Sequence, residues 1–346
     1  MPLDVGGRPE RHGQANTPDA GDGSENGAPA FPAGGGTTLA RFDRPRGSGT
    51  TLAVIADPHL TPADRGTFNV YHRTKQRFQM AVADTHRLDV DGMVVAGDLT
   101  KDGTSEEFAL AAELLATAPE PALSVPGNHD LTPWSESSPA AFGRRYAGGP
   151  YPVTREIGGV PVSLLDSTHP ESGGSIGGAL DATALQKLAN DGVTAPRIAV
   201  VHHALAPLPD PIDAACPEPQ YRLQGPAATA DALADAGVEL VVTGHAHWPY
   251  ATTYRGLGVV GAPGCSSFPP AYLLFHLDSR GTTVSIVPLA DEAGLTEAYE
   301  FAVTDPRCGD AIRQAVIEGY FGRFPVVDEM EDHVAADAPA ATWIHQ

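Results

Sequence analysis

Five short, almost wholly apolar runs recur along the chain, and each stops at Asp, Asn or His. Leu52 to Ala56 precedes Asp57-Pro58-His59, Met93 to Ala96 precedes Gly97-Asp98, and Ala122 to Val125 precedes Pro126-Gly127-Asn128-His129-Asp130. Arg197 to Val201 precedes His202-His203, and Val238 to Val242 leads through Thr243 into Gly244-His245-Ala246-His247. Runs without polar alternation are strands buried on both faces, as in the interior of an α/β sheet. Helical patterns alternate with them at Tyr71 to Leu88, after the capping-box signature Thr104-Ser105-Glu106-Glu107, after the N-cap Asp181, and at Ala227 to Ala236. The fold class is therefore α/β, whose chemistry gathers at the C-terminal edge of the strands.

Taken singly, these groups have plain structural readings. Asp98 reads as a turn former, His202 or His203 as a satisfied core histidine, His245-Ala246-His247 as an incidental pair, and Gly-Asn-His-Asp as a capped turn. Five such groups at five strand ends read as one site. Four imidazoles, two carboxylates and one amide oxygen exceed the ligand set of a mononuclear centre, so two ions sharing a bridging carboxylate are expected. Mixed nitrogen and oxygen donors without thiolate suit Mn, Fe, Zn or Co, divalent or trivalent, better than Ca or Mg. Two divalent ions against Asp57 and Asp98 leave a local positive field, and water held by such ions ionises near pH ~7, an available nucleophile for a phosphate ester. Which of His202 and His203 is a ligand stays open from the pattern alone.

The field has to be local because the chain as a whole is acidic: 43 Asp and Glu oppose 22 Lys and Arg, for a formal net charge of -21. Such a surface argues against a nucleic-acid polymer or an anionic membrane as partner. Its spread along the whole length resembles the halophilic composition of proteins from salt-loving microbes. Cys216, Cys265 and Cys308 lack a C-x-x-C pair and read as small buried residues. No basic-then-apolar leader and no run of ~18 apolar residues appears, so a soluble, cytoplasmic protein is expected, with a homo-oligomer left open.

Residues 1–45 read as a disordered arm, 46–290 as the catalytic domain, and 291–346 as an extension with one helix, Asp310 to Phe321, and a loose acidic tail. Trp134 to Pro152 reads as a loop. Leu257 to Val260, Tyr272 to Leu277 and Thr282 to Val287 read as one antiparallel edge of a mixed sheet. Trp248 and Tyr250 read as packing residues in preference to a stacking platform for a base.

In their order, Asp57-Pro58-His59, Gly97-Asp98, Gly127-Asn128-His129-Asp130, His202 and Gly244-His245-Ala246-His247 resemble the signature of the calcineurin-like metallophosphoesterases. Leu165-Asp166-Ser167, the segment Gly178-Ala179-Leu180 to Gln186-Lys187-Leu188, and His202-His203 are most similar to the branch of class III cyclic nucleotide phosphodiesterases and glycerophosphodiesterases. The resemblance implies a four-layer α/β/β/α sandwich with mixed sheets. It implies Asp57, His59 and His247 on one metal, Asn128, His202 and His245 on the other, and Asp98 bridging. His129 would face the substrate as a catalytic residue, and Asp130 would orient it. No organic cofactor site is implied. Ala204-Leu205 stands where a Pro-Pro pair is frequent, and Gly97 to Gly103 lacks the arginine of the Ser/Thr protein phosphatases. The expected function is phosphodiester hydrolysis on a small substrate, cyclic nucleotides included, by attack of a metal-bridged hydroxide. The alternatives are a phosphomonoesterase or nucleotidase with the same site, or an inactive metal-binding scaffold.

Overall fold

Strand alternation divides the apolar residues between the faces of two sheets. The computed structural model describes residues 37–62, 65–168, 177–216 and 221–330. The strands of the first half are β1 (Thr37–Phe42), β2 (Thr50–Ile55), β3 (Gly92–Ala96), β4 (Ala122–Val125), β5 (Val153–Ile157) and β6 (Val160–Leu164). They are followed by β7 (Arg197–Val201), β8 (Val238–Thr243), β9 (Tyr250–Tyr254), β10 (Leu257–Gly261), β11 (Ala271–Leu277), β12 (Thr282–Pro288) and the short β13 (Val327–Asp328). The helices are α1 (Tyr71–Arg87), α2 (Ser105–Leu115), α3 (Pro139–Tyr146), α4 (Ala182–Ala189), α5 (Ile212–Ala215), α6 (Pro226–Asp235), α7 (Glu292–Ala302) and α8 (Gly309–Ile317).

One sheet has the order β13-β1-β12-β11-β2-β3-β4 and the other β5-β6-β7-β8-β10-β9. Leu52, Val54, Val94, Ile198, Val200, Leu240 and Val242 fill the space between the sheets. Their chain neighbours point outward, as a period of two requires. Ala53, Ile55, Met93 and Val95 meet Phe78, Phe108 and Phe142 of α1, α2 and α3. Ala199, Val201, Val241 and Val259 meet Leu188, Leu233 and Ala298 of α4, α6 and α7. The result is the four-layer α/β/β/α sandwich. Each buried leucine, valine or phenylalanine contributes roughly 1.5–3 kcal/mol, so the three apolar layers dominate its stability.

Several local signals act as read from the sequence. The Thr104 side chain accepts from the Glu107 N–H while Glu107 Oε2 accepts from the Thr104 N–H, at 3.4 and 3.2 Å, so α2 starts with a complete capping box. Asp181 caps α4 through the Thr183 N–H at 2.9 Å. Trp248, 1 % exposed, packs on Phe268, Tyr320 and Phe321, which makes it a packing residue.

Other expectations are corrected. The arm does not extend to residue 45: β1 pairs antiparallel with β12, with Leu39 and Phe42 buried between the sheets. Residue 290 is not the edge of the core either, because α7, α8 and the turn Tyr320–Arg323 cover the second sheet. The extension carries two helices where one was expected. Trp134 to Pro152 holds α3, started by Ser138 as N-cap and Pro139 in the first turn. The three late strands are divided: β10 lies parallel to β8 in one sheet, and β11 and β12 form a hairpin in the other. Residues 1–36, Gly173-Gly174 and the tail beyond Met330 lie outside the described residues.

Candidate metal centre

The strands end in a shared register that brings their polar residues together. Beyond β2 and β3 the ladder continues, with the N–H of Asp57 donating to Gly97 O, that of His59 to Asp98 O and that of Leu60 to Leu99 O, at 2.9–3.1 Å. Asp57, His59, Asp98, His245 and His247 all take positive φ, between 44° and 66°. They are five of the seven residues other than glycine that do so among the described residues. A left-handed backbone at such residues costs on the order of 1 kcal/mol or more each, and it turns successive side chains to one point. Gly127 has no alternative: a Cβ there would lie 2.0 Å from Asp98 Oδ1.

Asp57, His59 and His247 offer ligand atoms within 4.8 Å of one another, and so do Asp57, Asp98 and His202. His247 Nε2 is 3.2 Å from Asp57 Oδ1 and 3.3 Å from His59 Nε2. On the other side His202 Nε2 is 3.2 Å from Asn128 Oδ1 and 3.2 Å from His245 Nδ1. Asp98 Oδ2 lies between the halves, 3.5 Å from His59 Nε2 and 3.4 Å from His202 Nε2. Its other oxygen accepts from the His129 N–H at 2.8 Å. The Asp57 carboxylate accepts from the His245 N–H at 3.0 and 3.1 Å.

Outer partners choose the nitrogen that each ring presents. His202 Nδ1 donates to the Ala96 carbonyl at 2.9 Å, and His247 Nδ1 lies 3.1 Å from Ser267 Oγ. Both present Nε2 to the cluster. Because a carbonyl only accepts, the neutral His202 ring turns the Nε2 lone pair toward Asn128 Oδ1 and Asp98 Oδ2, themselves acceptors. Lone pairs converging in this way repel unless a cation lies among them. Nitrogen and oxygen donors without thiolate make that cation a metal ion, so the residues fit a metal centre.

Without a metal ion, a proton fills the same role. Burial disfavours charge on His202, yet Asp98 and Asp57 outweigh it and push the pKa up to about 9. Burial likewise opposes ionisation of Asp98, but His202, His129 and His59 hold it well below the usual carboxylate range. Burial drives His59 well below the usual imidazole range, with His129 and His247 adding to the effect and Asp98 opposing it. A metal ion competes with a proton for the same lone pairs.

Two expectations are refined here. Among the described residues His203 groups only with His202 and His245, with ligand atoms of the three within 4.8 Å, its ring centroid 4.6 Å from that of His245 and its Nδ1 2.7 Å from Ser167 Oγ. His202, and not His203, meets Asp98 and Asn128. Asp130 does not orient His129. Its carboxylate accepts from the N–H groups of Gly127, Leu99 and Thr100 and from Thr100 Oγ1, at 2.7–3.0 Å, and so ties the turn after β4 to the loop after β3. Burial and the neighbouring Asp98 raise its pKa to about 6. The residue that orients His129 is Lys101, whose carbonyl accepts from Nδ1 at 2.6 Å. A backbone oxygen leaves no trace in the sequence, and neither Ser267 nor Lys101 belonged to any motif.

The cluster forms one wall of a cleft. Phe68, Tyr71, Ile212, Tyr221, Phe268 and Arg307 line it as well. Cys216 and Cys308 also line it, their sulfurs 3.2 Å apart, so two cysteines distant in sequence are neighbours in the fold. Among the described residues no helix is long and apolar enough to cross a membrane.

The architecture is similar to that of a dimetal phosphatase from Danio rerio, with a TM-score of 0.55 at 16% identity over 70% of this chain and 97% of that one. A putative 5'-nucleotidase from Staphylococcus aureus gives 0.43 at 13% identity over 78% and 58% of the two chains. The phosphopantetheinyl hydrolase of Mycobacterium tuberculosis gives 0.40 at 17% identity over 63% and 91%. No curated protein matches the sequence. The family model of the calcineurin-like phosphoesterases matches residues 50–249, the span that carries every residue of the cluster. The chain belongs to the calcineurin-like phosphoesterase family and is an enzyme that hydrolyses phosphoric esters.

Proposed function

We propose that the protein is a dinuclear phosphodiesterase for small diesters, cyclic nucleotides among them. Asp57, His59 and His247 would hold one ion, Asn128, His202 and His245 the other, and Asp98 would serve both. The support is the division of the cluster into two halves with Asp98 Oδ2 3.4–3.5 Å from a ring nitrogen of each. Bound ions of the manganese, iron or zinc type supply Lewis acidity and activate water for attack on phosphorus. With Nδ1 committed to Lys101 O, His129 turns Nε2 to the substrate and hands its proton to the leaving oxygen. The acidic surface points to a cytoplasm rich in salt.

The observation that carries the diester reading is the lining of the cleft beyond the cluster. Phe68, Ile212 and Tyr221 offer apolar surface to a second ester group, and Arg307 is the one lysine or arginine among the described lining residues. A monoester dianion gains from several further cations beside the metals, and among the described lining residues this cleft offers one arginine against an apolar remainder. Comparing rates on bis(4-nitrophenyl) phosphate and 4-nitrophenyl phosphate tests the preference, and a faster monoester would turn the reading to a phosphomonoesterase. Asp98→Ala is expected to lower metal content and to slow diester hydrolysis more than ~100-fold. Unchanged metal content and rate in that variant would sink the assignment.

A further inference from the structure

Arg307 lines the same cleft as the cluster, and nothing in the chemistry assigned so far uses it. It enters from residues 303–308, which join α7 to α8. There the Asp305 carboxylate accepts from the N–H groups of Arg307 and Cys308, at 2.8 and 3.4 Å, and fixes the turn. The guanidinium carbon lies 5.6 Å from the ring centre of Phe68 and 6.0 Å from that of Tyr221. The Tyr221 ring in turn is 5.5 Å from that of His245. One aromatic ring therefore separates this cation from a residue of the metal cluster.

Aromatic rings near a guanidinium attract its charge without using its N–H donors, which stay available for a planar oxyanion. Among the described residues its one side-chain acceptor is Asp305 Oδ1, 3.5 Å from Nε, too long for a good hydrogen bond. Nη1 and Nη2 have no acceptor among them. In a chain of formal charge -21, an arginine beside two aromatic rings and open at its fork offers local positive charge to an anion that the rest of the surface repels.

We propose that Arg307 binds a second oxyanion of the substrate, a carboxylate or a phosphate carried on the ester group that spans the cleft away from the scissile phosphorus. The inference rests on the phosphodiesterase reading and narrows it to diesters with one anionic arm. The scissile phosphoryl group sits at the cluster, the arm crosses Phe68 and Tyr221, and its charged end meets the fork of Arg307. Arg307 is then a specificity-determining residue of the reaction.

The test uses three chromogenic diesters of 4-nitrophenyl phosphate that share a phenyl group as second ester and carry on it hydrogen, a carboxylate or a phosphate. The wild-type chain is expected to prefer a charged ester over the uncharged one in kcat/KM, mainly through KM. Arg307→Gln is expected to reduce that preference roughly 10- to 100-fold, the value of a charge-assisted bidentate contact. Arg307→Lys keeps the charge without the fork and should fall between the two. Metal content reports whether each variant keeps its fold, and the carboxylate and phosphate arms show which oxyanion is taken. A preference equal in wild type, Arg307→Gln and Arg307→Lys would overturn the inference while leaving the diesterase reading intact. Failure of the wild type on all three esters would overturn that reading, and this inference with it.

Discussion

Asn128 and His129 adjoin in the chain, yet one faces a ligand atom of the cluster and the other the cleft. Asn128 Oδ1 is 3.2 Å from His202 Nε2, whereas His129 gives its backbone N–H to Asp98 and its Nδ1 to Lys101 O. Asn128→Ala is therefore expected to lower metal occupancy by a factor of ~10 or more, because one ligand is lost and His202 loses its neighbour. His129→Ala is expected to leave both metals bound and to slow turnover about 10²- to 10⁴-fold, the usual range for a proton donor. Metal analysis beside kcat on a chromogenic diester separates the two, and equal metal loss in both variants would refute the division of tasks. The ligand types were legible because Asp, Asn and His at strand ends have few structural uses in such number. Asp130 differs from the expectation for a physical reason: its neighbour in sequence is His129, but its donors are the Thr100 hydroxyl and the backbone N–H groups of Gly127, Leu99 and Thr100.

Elements that are apolar throughout announced themselves, and those of mixed character did not. β2, β3, β7 and β8 are buried on both faces, as their nearly unbroken apolar runs require. β1 reads Thr-Thr-Leu-Ala-Arg-Phe with three of its six residues half-buried, so beside a Gly-rich stretch it resembled more of the arm. β5 and β9 are five-residue edge strands rich in Thr, Arg, Glu and Tyr, and only their partners make them strands. α3 was overlooked although Ser138-Pro139 is a good helix start, because Gly, Pro and Ser crowd around it. The largest surprise is the segment from Asp291 onward, whose apolar residues were too sparse to be read as part of the core. Phe321 stacks edge-on against Phe268 and tilts on Trp248, with ring centres 5.8 and 5.3 Å apart. Phe321→Ala is expected to cost about 3 kcal/mol and to lower the single melting transition by several degrees. A Tm equal to that of the wild type would mean that this segment is an appendage and not a part of the core.

The whole molecule carries a formal charge of -21, and its stability should register that. Raising the salt from 0.1 to 1 M shortens the Debye length from about 10 to about 3 Å, so mutual repulsion among exposed carboxylates is screened. A rise in Tm of a few degrees in KCl over that range is expected, and a flat or falling Tm would contradict it. At this scale the architecture also has a division of labour. Every proposed metal ligand comes from the ends of strands in the two central layers, whereas Arg307 arrives from the turn between α7 and α8, outside the span that defines the family. The cluster and the arginine proposed to select its substrates thus lie on separate stretches of polypeptide. An exchange confined to residues 303–308 can retune what is cleaved while the cleaving apparatus is inherited unaltered, and this makes the chain a convenient starting stock for redirected esterases.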